Sequence, residues 1–171
     1  MTHRCRPRRA TGDEGAALVE FAIIMPLVFA LFLGMFTGGI SLSRRNSMTN
    51  AVREGARLGA TLPEDGAWVA AVQGRVVQLA AGDLTSAQVC VQLVQKSDTS
   101  ADIIRKSLLP AGCSGVTPPT LTGVAEGECA VRVWASRTTV LQVVFFSQTI
   151  TLDADAIGRY ERSGVPATCS S

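Results

Sequence analysis

From Phe21 to Ser43 the chain carries 23 consecutive residues without a charge, and within them FAIIMPLVFALFLGMF is apolar on every face a helix could present. At about 1.5 Å per residue this run makes a helix of roughly 34 Å, enough to cross a hydrocarbon core of about 30 Å with some tilt. A core helix of a small soluble fold would keep a polar stripe, so the pattern predicts a transmembrane helix over 16–43. Helical periodicity continues through a 44–62 extension, with apolar or small residues at Met48, Ala51, Val52, Gly55, Ala56, Leu58 and Gly59. Pro63 ends it, because the residue before a proline is pushed out of the α region. A second amphipathic helix is predicted over Ala67–Ala81, with Trp68, Val69, Val72, Val76, Leu79 and Ala80 on one stripe and Gly82 as its stop.

Beyond that point the pattern turns to β. Leu84–Gln95 alternates Val89, Val91 and Leu93, and Cys129–Ala135 sets Val131 and Val133 against Arg132 and Trp134. A third β-rich stretch, Thr138–Leu152, reads TTVLQVVFFSQTITL. These predict an antiparallel sheet with one packed face. Ile103–Leu109 reads as a short helix or an irregular strand, and the Gly/Pro-rich segment after it as a loop pinned by Cys113. The expected organisation is a leader over 1–15, the span, the extension, an α+β head over 63–157 and a polar tail over 158–171.

With 47% hydrophobic and 18% charged residues in 171, the chain is not disordered by composition, and a formal charge of +2 supplies no field for nucleic acid. The charge is unevenly placed: Arg4, Arg6, Arg8 and Arg9 precede the span, and Arg44, Arg45, Arg53 and Arg57 follow it. Arginine counts therefore leave orientation open. Cysteines are more informative, since Cys5 lies before the span while Cys90, Cys113, Cys129 and Cys169 lie beyond it. Four on one side suit two disulfides in an oxidising compartment, with the N-terminus in the cytoplasm. Three pairings are possible. Zinc is disfavoured by the absence of a C-x-x-C pair and by His3, the one histidine, lying across the span. A cleavable secretory signal fits poorly, because the apolar run is longer than about 15 residues and lacks a clear small-x-small exit.

Catalytic chemistry finds little to use. No histidine follows His3, and neither a P-loop nor H-E-x-x-H occurs. Asp153 and Asp155 in LDADA share one strand face but lack a ligand-rich loop, and Lys96 and Lys106 have no Ser-Lys partner motif. The chain is expected to be no enzyme, with no cofactor, metal, nucleic acid or small-molecule substrate.

The most informative residues are Gly15-Ala16-Ala17-Leu18-Val19-Glu20-Phe21, a glycine followed five positions later by a carboxylate at the start of an apolar helix. A charge there is costly, by about 2.5–3.5 kcal/mol at mid-bilayer and less near the interface. GAALVEFAIIMP, with Pro26 in the span and AVREGAR at 51–57, resembles type IV pilin-like precursors, specifically the TadE-like pseudopilins of tight-adherence (Flp, type IVb) pili. The resemblance implies a pilin-like extracytoplasmic head and cutting between Gly15 and Ala16 by a prepilin peptidase. It also implies partnership with other pilins or pseudopilins and the pilus assembly platform. Glu20 would become the fifth mature residue, able to pair with the new amino group of Ala16 in a neighbour. Loss of the leader would leave 12 basic and 12 acidic residues.

Two stripes of small residues, Ala30/Gly34/Gly38 and Ala51/Gly55/Gly59, have the i, i+4 spacing that lets helices approach closely. The alternative reading is a signal-anchored single-pass surface protein whose ectodomain binds something unrelated to pili.

Overall fold

The computed structural model describes residues 13–98, 101–143 and 146–160. One helix, α1 (Asp13–Thr61), carries the apolar run and its extension without interruption, Pro26 included. It ends two residues before Pro63, where the conformational restriction on Leu62 stops it. The second helix, α2 (Trp68–Leu79), is shorter than the sequence predicts. Its stop is set by Ala81 and Gly82, both with positive φ (49° and 89°), which turn the backbone left-handed. Trp68, Val72, Val76 and Ala80 are buried as expected, but Leu79 is exposed, because the predicted stripe is wider than the face that meets the core.

The remaining elements are four strands, β1 (Val89–Gln95), β2 (Ile103–Leu108), β3 (Cys129–Val143) and β4 (Phe146–Arg159). They form one antiparallel sheet in the order β2-β1-β3-β4. The α+β architecture expected from the sequence is the one observed, with two corrections inside it. Leu84–Gln95 is a short 3-10 turn at Ser86–Gln88 followed by β1; of the two readings of Ile103–Leu109, the irregular strand is the one formed, as β2 with a register shift against β1 at Leu93/Val94. The stretch Thr138–Leu152 is not one strand but the two arms of a long β3–β4 hairpin, paired from Ala130↔Arg159 to Val143↔Phe146. No Gly, Pro, Asn or Asp marks its tip, so turn chemistry gave no signal there. The connecting residues 144–145 lie outside the described residues.

The core lies between the helices and one sheet face. Met48, Ala51, Val52, Ala56 and Ala60 of α1 pack with Trp68, Val72 and Val76 of α2 on Val89, Val91, Leu93, Val131, Val133 and Leu152. The expectation of a single packed face is also corrected, since Cys90, Val94, Ala130 and Trp134 on the other face are buried too. The loop between β2 and β3 covers them, with Leu121 and Val124 against Val94 and Ala130, and Cys113 against Cys90 and Trp134. The head runs past the expected boundary at 157. β4 continues to Arg159, and buried Tyr160 donates its hydroxyl to the Leu62 carbonyl at 2.9 Å. The rest of the predicted tail lies outside the described residues.

Candidate functional site

Local sequence gives α1 two halves with opposite surroundings. Leu18, Phe21, Ile23, Leu27, Phe32, Met35 and Phe36 all stand exposed, as aromatic and branched apolar side chains do in water only when something else covers them. An 18-residue window of this helix reaches a mean hydropathy of 2.5 and is not buried by the rest of the chain. One N-terminal helix is thus long and apolar enough to span a membrane. From Met48 onward the same helix is seated in the head.

Gly15 and Ala16 lie on α1, exposed, and a Cβ added to Gly15 would meet nothing within 4 Å. Glu20 and Phe21 follow on the exposed helix, and residues 1–12 of the leader lie outside the described residues.

The two small-residue stripes part company. Gly34 and Gly38 face open space, whereas Gly55 and Gly59 are closed in by the head. A Cβ on Gly55 would collide with Val76 Cγ2, and one on Gly59 would stand 2.9 Å from Val131 Cγ1 and 3.0 Å from Val72 Cγ2. The Gly59 carbonyl also accepts the indole N–H of Trp68 at 2.9 Å, which satisfies two buried polar groups at once. Gly158 repeats the device from the sheet side, its Cα position lying against the Ala56 carbonyl, where a Cβ would stand at 2.6 Å. Sequence reasoning passed over Gly158, since an isolated glycine in a strand signals close backbone approach only once the opposing element is known.

On the solvent side of the extension, Arg57 makes a two-pronged hydrogen bond to Glu54, 2.8 Å to each carboxylate oxygen. That bond holds the Glu54 carboxyl below its ordinary range, against the partial desolvation that pushes it up, and raises Arg57 in turn. Arg53, also exposed, shares that face. Closer to the span, Arg44 and Arg137 converge on Asp83, at 3.8 Å and 2.9 Å from Oδ1.

Cys90 and Cys113 form a disulfide with Cα atoms 6.0 Å apart. Cys129 is disulfide-bonded as well, and Cys169 lies outside the described residues. The remaining chemical candidates disperse. Lys96 donates to the carbonyls of Leu121 and Val124, and Lys106 to those of Glu64 and Asp65, so both tie down loops. Asp153 and Asp155 stand exposed on one face of β4, beside an open groove of about 640 Å³ edged by Thr117, Thr120 and Thr122. Among the described residues no group of three or more His, Cys, Asp or Glu converges as metal ligands would.

Residues 15–57, from the predicted cut to AVREGAR, match the family model of TadE-like proteins. No match was found among curated proteins or among solved structures.

Proposed function

We propose that this chain is a TadE-like pseudopilin, a non-catalytic structural or assembly component of a tight-adherence pilus. In this reading it is made as a precursor and cut after Gly15 by a membrane prepilin peptidase. The observation that carries the reading is the TadE-like match over 15–57, which covers both the processing motif and the helix leading out of the membrane. The geometry supports it: α1 offers a bare apolar half for the bilayer and for other subunits, and a second half given over to holding the head.

The leader would stay in the cytoplasm with its arginines, and the head would face the oxidising side, where the Cys90–Cys113 bridge persists. Cys129 and Cys169 would make the second bridge there. After the cut, the Ala16 amino group and Glu20 would stand one helical turn apart, placed for pairing with a neighbouring subunit. Its partners would be the peptidase, other pilins or pseudopilins, and the assembly platform.

The test is the N-terminal residue and intact mass of membrane-extracted protein from cells with and without the peptidase. A chain beginning at Ala16 only when the peptidase is present is expected. Gly15→Phe should leave the chain uncut, and since Gly15 touches nothing, a block would reflect the protease cleft rather than misfolding. Retention of residues 1–15 in both strains would overturn the processing step.

A further inference from the structure

The sheet ends at β4, and no strand lies beyond it among the described residues. The Tyr160 N–H donates to the Cys129 carbonyl at 2.9 Å, and these two residues continue the β3–β4 register one step past Ala130↔Arg159. In an antiparallel ladder, hydrogen-bonded pairs alternate with non-bonded ones. Ala154, Ala156 and Gly158 therefore turn their backbone groups to β3, while Asp153, Asp155 and Ile157 turn theirs outward, to the open edge. An edge of this kind is a template for another strand.

The two faces beside that edge differ. The side chains of Asp153, Asp155 and Ile157 stand on the sheet face away from the helices and border the groove of about 640 Å³. Its opposite wall carries Thr117, Thr120 and Thr122, on the loop after Cys113. That wall is fastened at one end by the Cys90–Cys113 bridge. At the other end Lys96 holds the Leu121 and Val124 carbonyls and Arg159 the Gly123 carbonyl. The two carboxylates, about 7 Å apart along the strand, have no hydrogen bond or ion pair among the described residues, and no basic residue lines the groove with them.

On the helix face, residues 155–159 and α1 enclose a second groove, of about 510 Å³. Ala56, Ala60, Ala156 and Gly158 leave it room for a larger apolar side chain, and Arg53 and Arg57 line it from α1. Opposite residues of paired strands share a face, and successive residues change face. A strand laid along Asp153–Ile157 thus presents every second side chain to the carboxylates and threonines, and those between to the alanine-lined groove. Opposite charges support a cross-strand pair and like charges weaken it. The aspartates therefore deter strands in general and admit one with cations at alternate positions.

We propose that the open edge of β4 at 153–157 is a docking site for an extended segment of another protein, one in which lysine or arginine alternates with apolar residues. The segment adds a fifth strand to the sheet, its backbone bonds supplying the hold and the two grooves the selection. A second copy of the chain fits less well. Paired antiparallel through β4 over 153–157, it would set Asp155 opposite its own counterpart. Paired through its β2, it would continue a sheet whose strands turn by about 20–25° each, and its α1 would swing by ~90° from the first. Two such helices do not cross one membrane, an exclusion that rests on the membrane reading of α1.

The full chain in detergent micelles would be titrated with three fluorescein-labelled peptides: Val-Lys-Val-Lys-Val-Lys-Val, its glutamate counterpart, and a block peptide with the same valines and lysines grouped apart. The alternating lysine peptide is expected to bind about tenfold more tightly than either of the others. It should also slow hydrogen exchange of the Asp155 and Ile157 amides, read by NMR. Asp153→Asn combined with Asp155→Asn, exposed changes that keep the backbone edge, should remove the preference. Thr122→Lys, which sets a cation on the facing wall without touching the strand, should weaken binding as well. Because the two variants change different elements, misfolding of one leaves the other to decide. Absence of binding, equal binding of the alternating and block peptides, or binding undiminished in both variants would overturn the proposal. Protection of the two amides without peptide would overturn it too. If that protection rises with protein concentration the edge belongs to a second copy, and if it does not the edge is filled from within the chain.

Discussion

The same spacing of small residues occurs twice on α1 and has two different physical uses. In Ala51/Gly55/Gly59 the missing side chains are filled by Val76, Val72, Val131 and Trp68 of the same chain, so the helix sinks into its own head. In Ala30/Gly34/Gly38 the glycines face nothing, and the large side chains around them stand exposed. Spacing alone predicts a close-approach surface in both places, and only the surroundings decide whether it is met within the chain or left for a partner. A stripe completed internally is a stability element. A stripe left open, on a helix long and apolar enough to cross a membrane, is where association between spans is expected.

The largest effect that separates the two is a leucine at each glycine. Gly55→Leu and Gly59→Leu should each destabilise the head by about 3 kcal/mol or more, since overpacking of a closed core outweighs the ~1 kcal/mol gained by removing glycine from a helix. Gly34→Leu and Gly38→Leu should leave head stability unchanged and weaken helix association. Denaturant unfolding in detergent micelles reads the first effect and crosslinking in membranes the second. Equal stability losses at all four positions would erase the distinction.

Next comes the far side of the sheet. Cys90 and Cys113 close a loop of 23 residues' separation, and replacing both with serine should cost about 3 kcal/mol by loop-closure entropy. The loss should be confined to head unfolding, with the helical signal of the bare half unaffected. A loss that also melts that half would show the two halves to be one cooperative unit. Trp68→Phe is expected to cost less, about 2 kcal/mol, because it leaves the buried Gly59 carbonyl unpartnered where α1 and α2 touch. The same change should not alter crosslinking through the membrane half.

These contrasts also show how far the sequence could be read. The continuity of α1 and its C-terminal end were legible because a charge-free run, a continued periodicity and Pro63 all act locally. The buried stripe of α2 was legible except at Leu79, where burial depends on the width of a core that periodicity cannot measure. The hairpin was not legible as a hairpin: Val144 and Phe145 carry no turn signal, and the arms become separate strands only through pairing with each other. Burial of the second sheet face was hidden as well, since it depends on Leu121, Val124 and Cys113 folding back from a loop whose sequence shows only turn chemistry. In the candidate site, the motif at Gly15–Phe21 stands out in sequence as a costly carboxylate in an apolar helix. The partners that would act on it are other molecules, and no intramolecular contact records them.

The smallest effect lies on the outer face of the head half, where Glu54 and Arg57 form a pair that has no counterpart among the uncharged residues of the span. Their hydrogen bonds lower the Glu54 carboxyl in the folded state, so the pair stabilises the head while pH stays above the ordinary carboxylate range, near ~4.3. As pH falls through the lowered folded value the carboxylate protonates and that contribution disappears. Glu54→Gln should therefore remove a small pH-dependent part of head stability on the acid side and leave the neutral-to-alkaline limb nearly parallel to the parent. Because Arg57 is exposed and Glu54 only half-buried, salt should shrink the difference between parent and variant. Acid unfolding followed by circular dichroism at low and high ionic strength measures it. An acid limb identical in Glu54→Gln and parent at low salt would mean that this pair is formed equally in the unfolded chain, as an i, i+3 neighbour on a persisting helix would be.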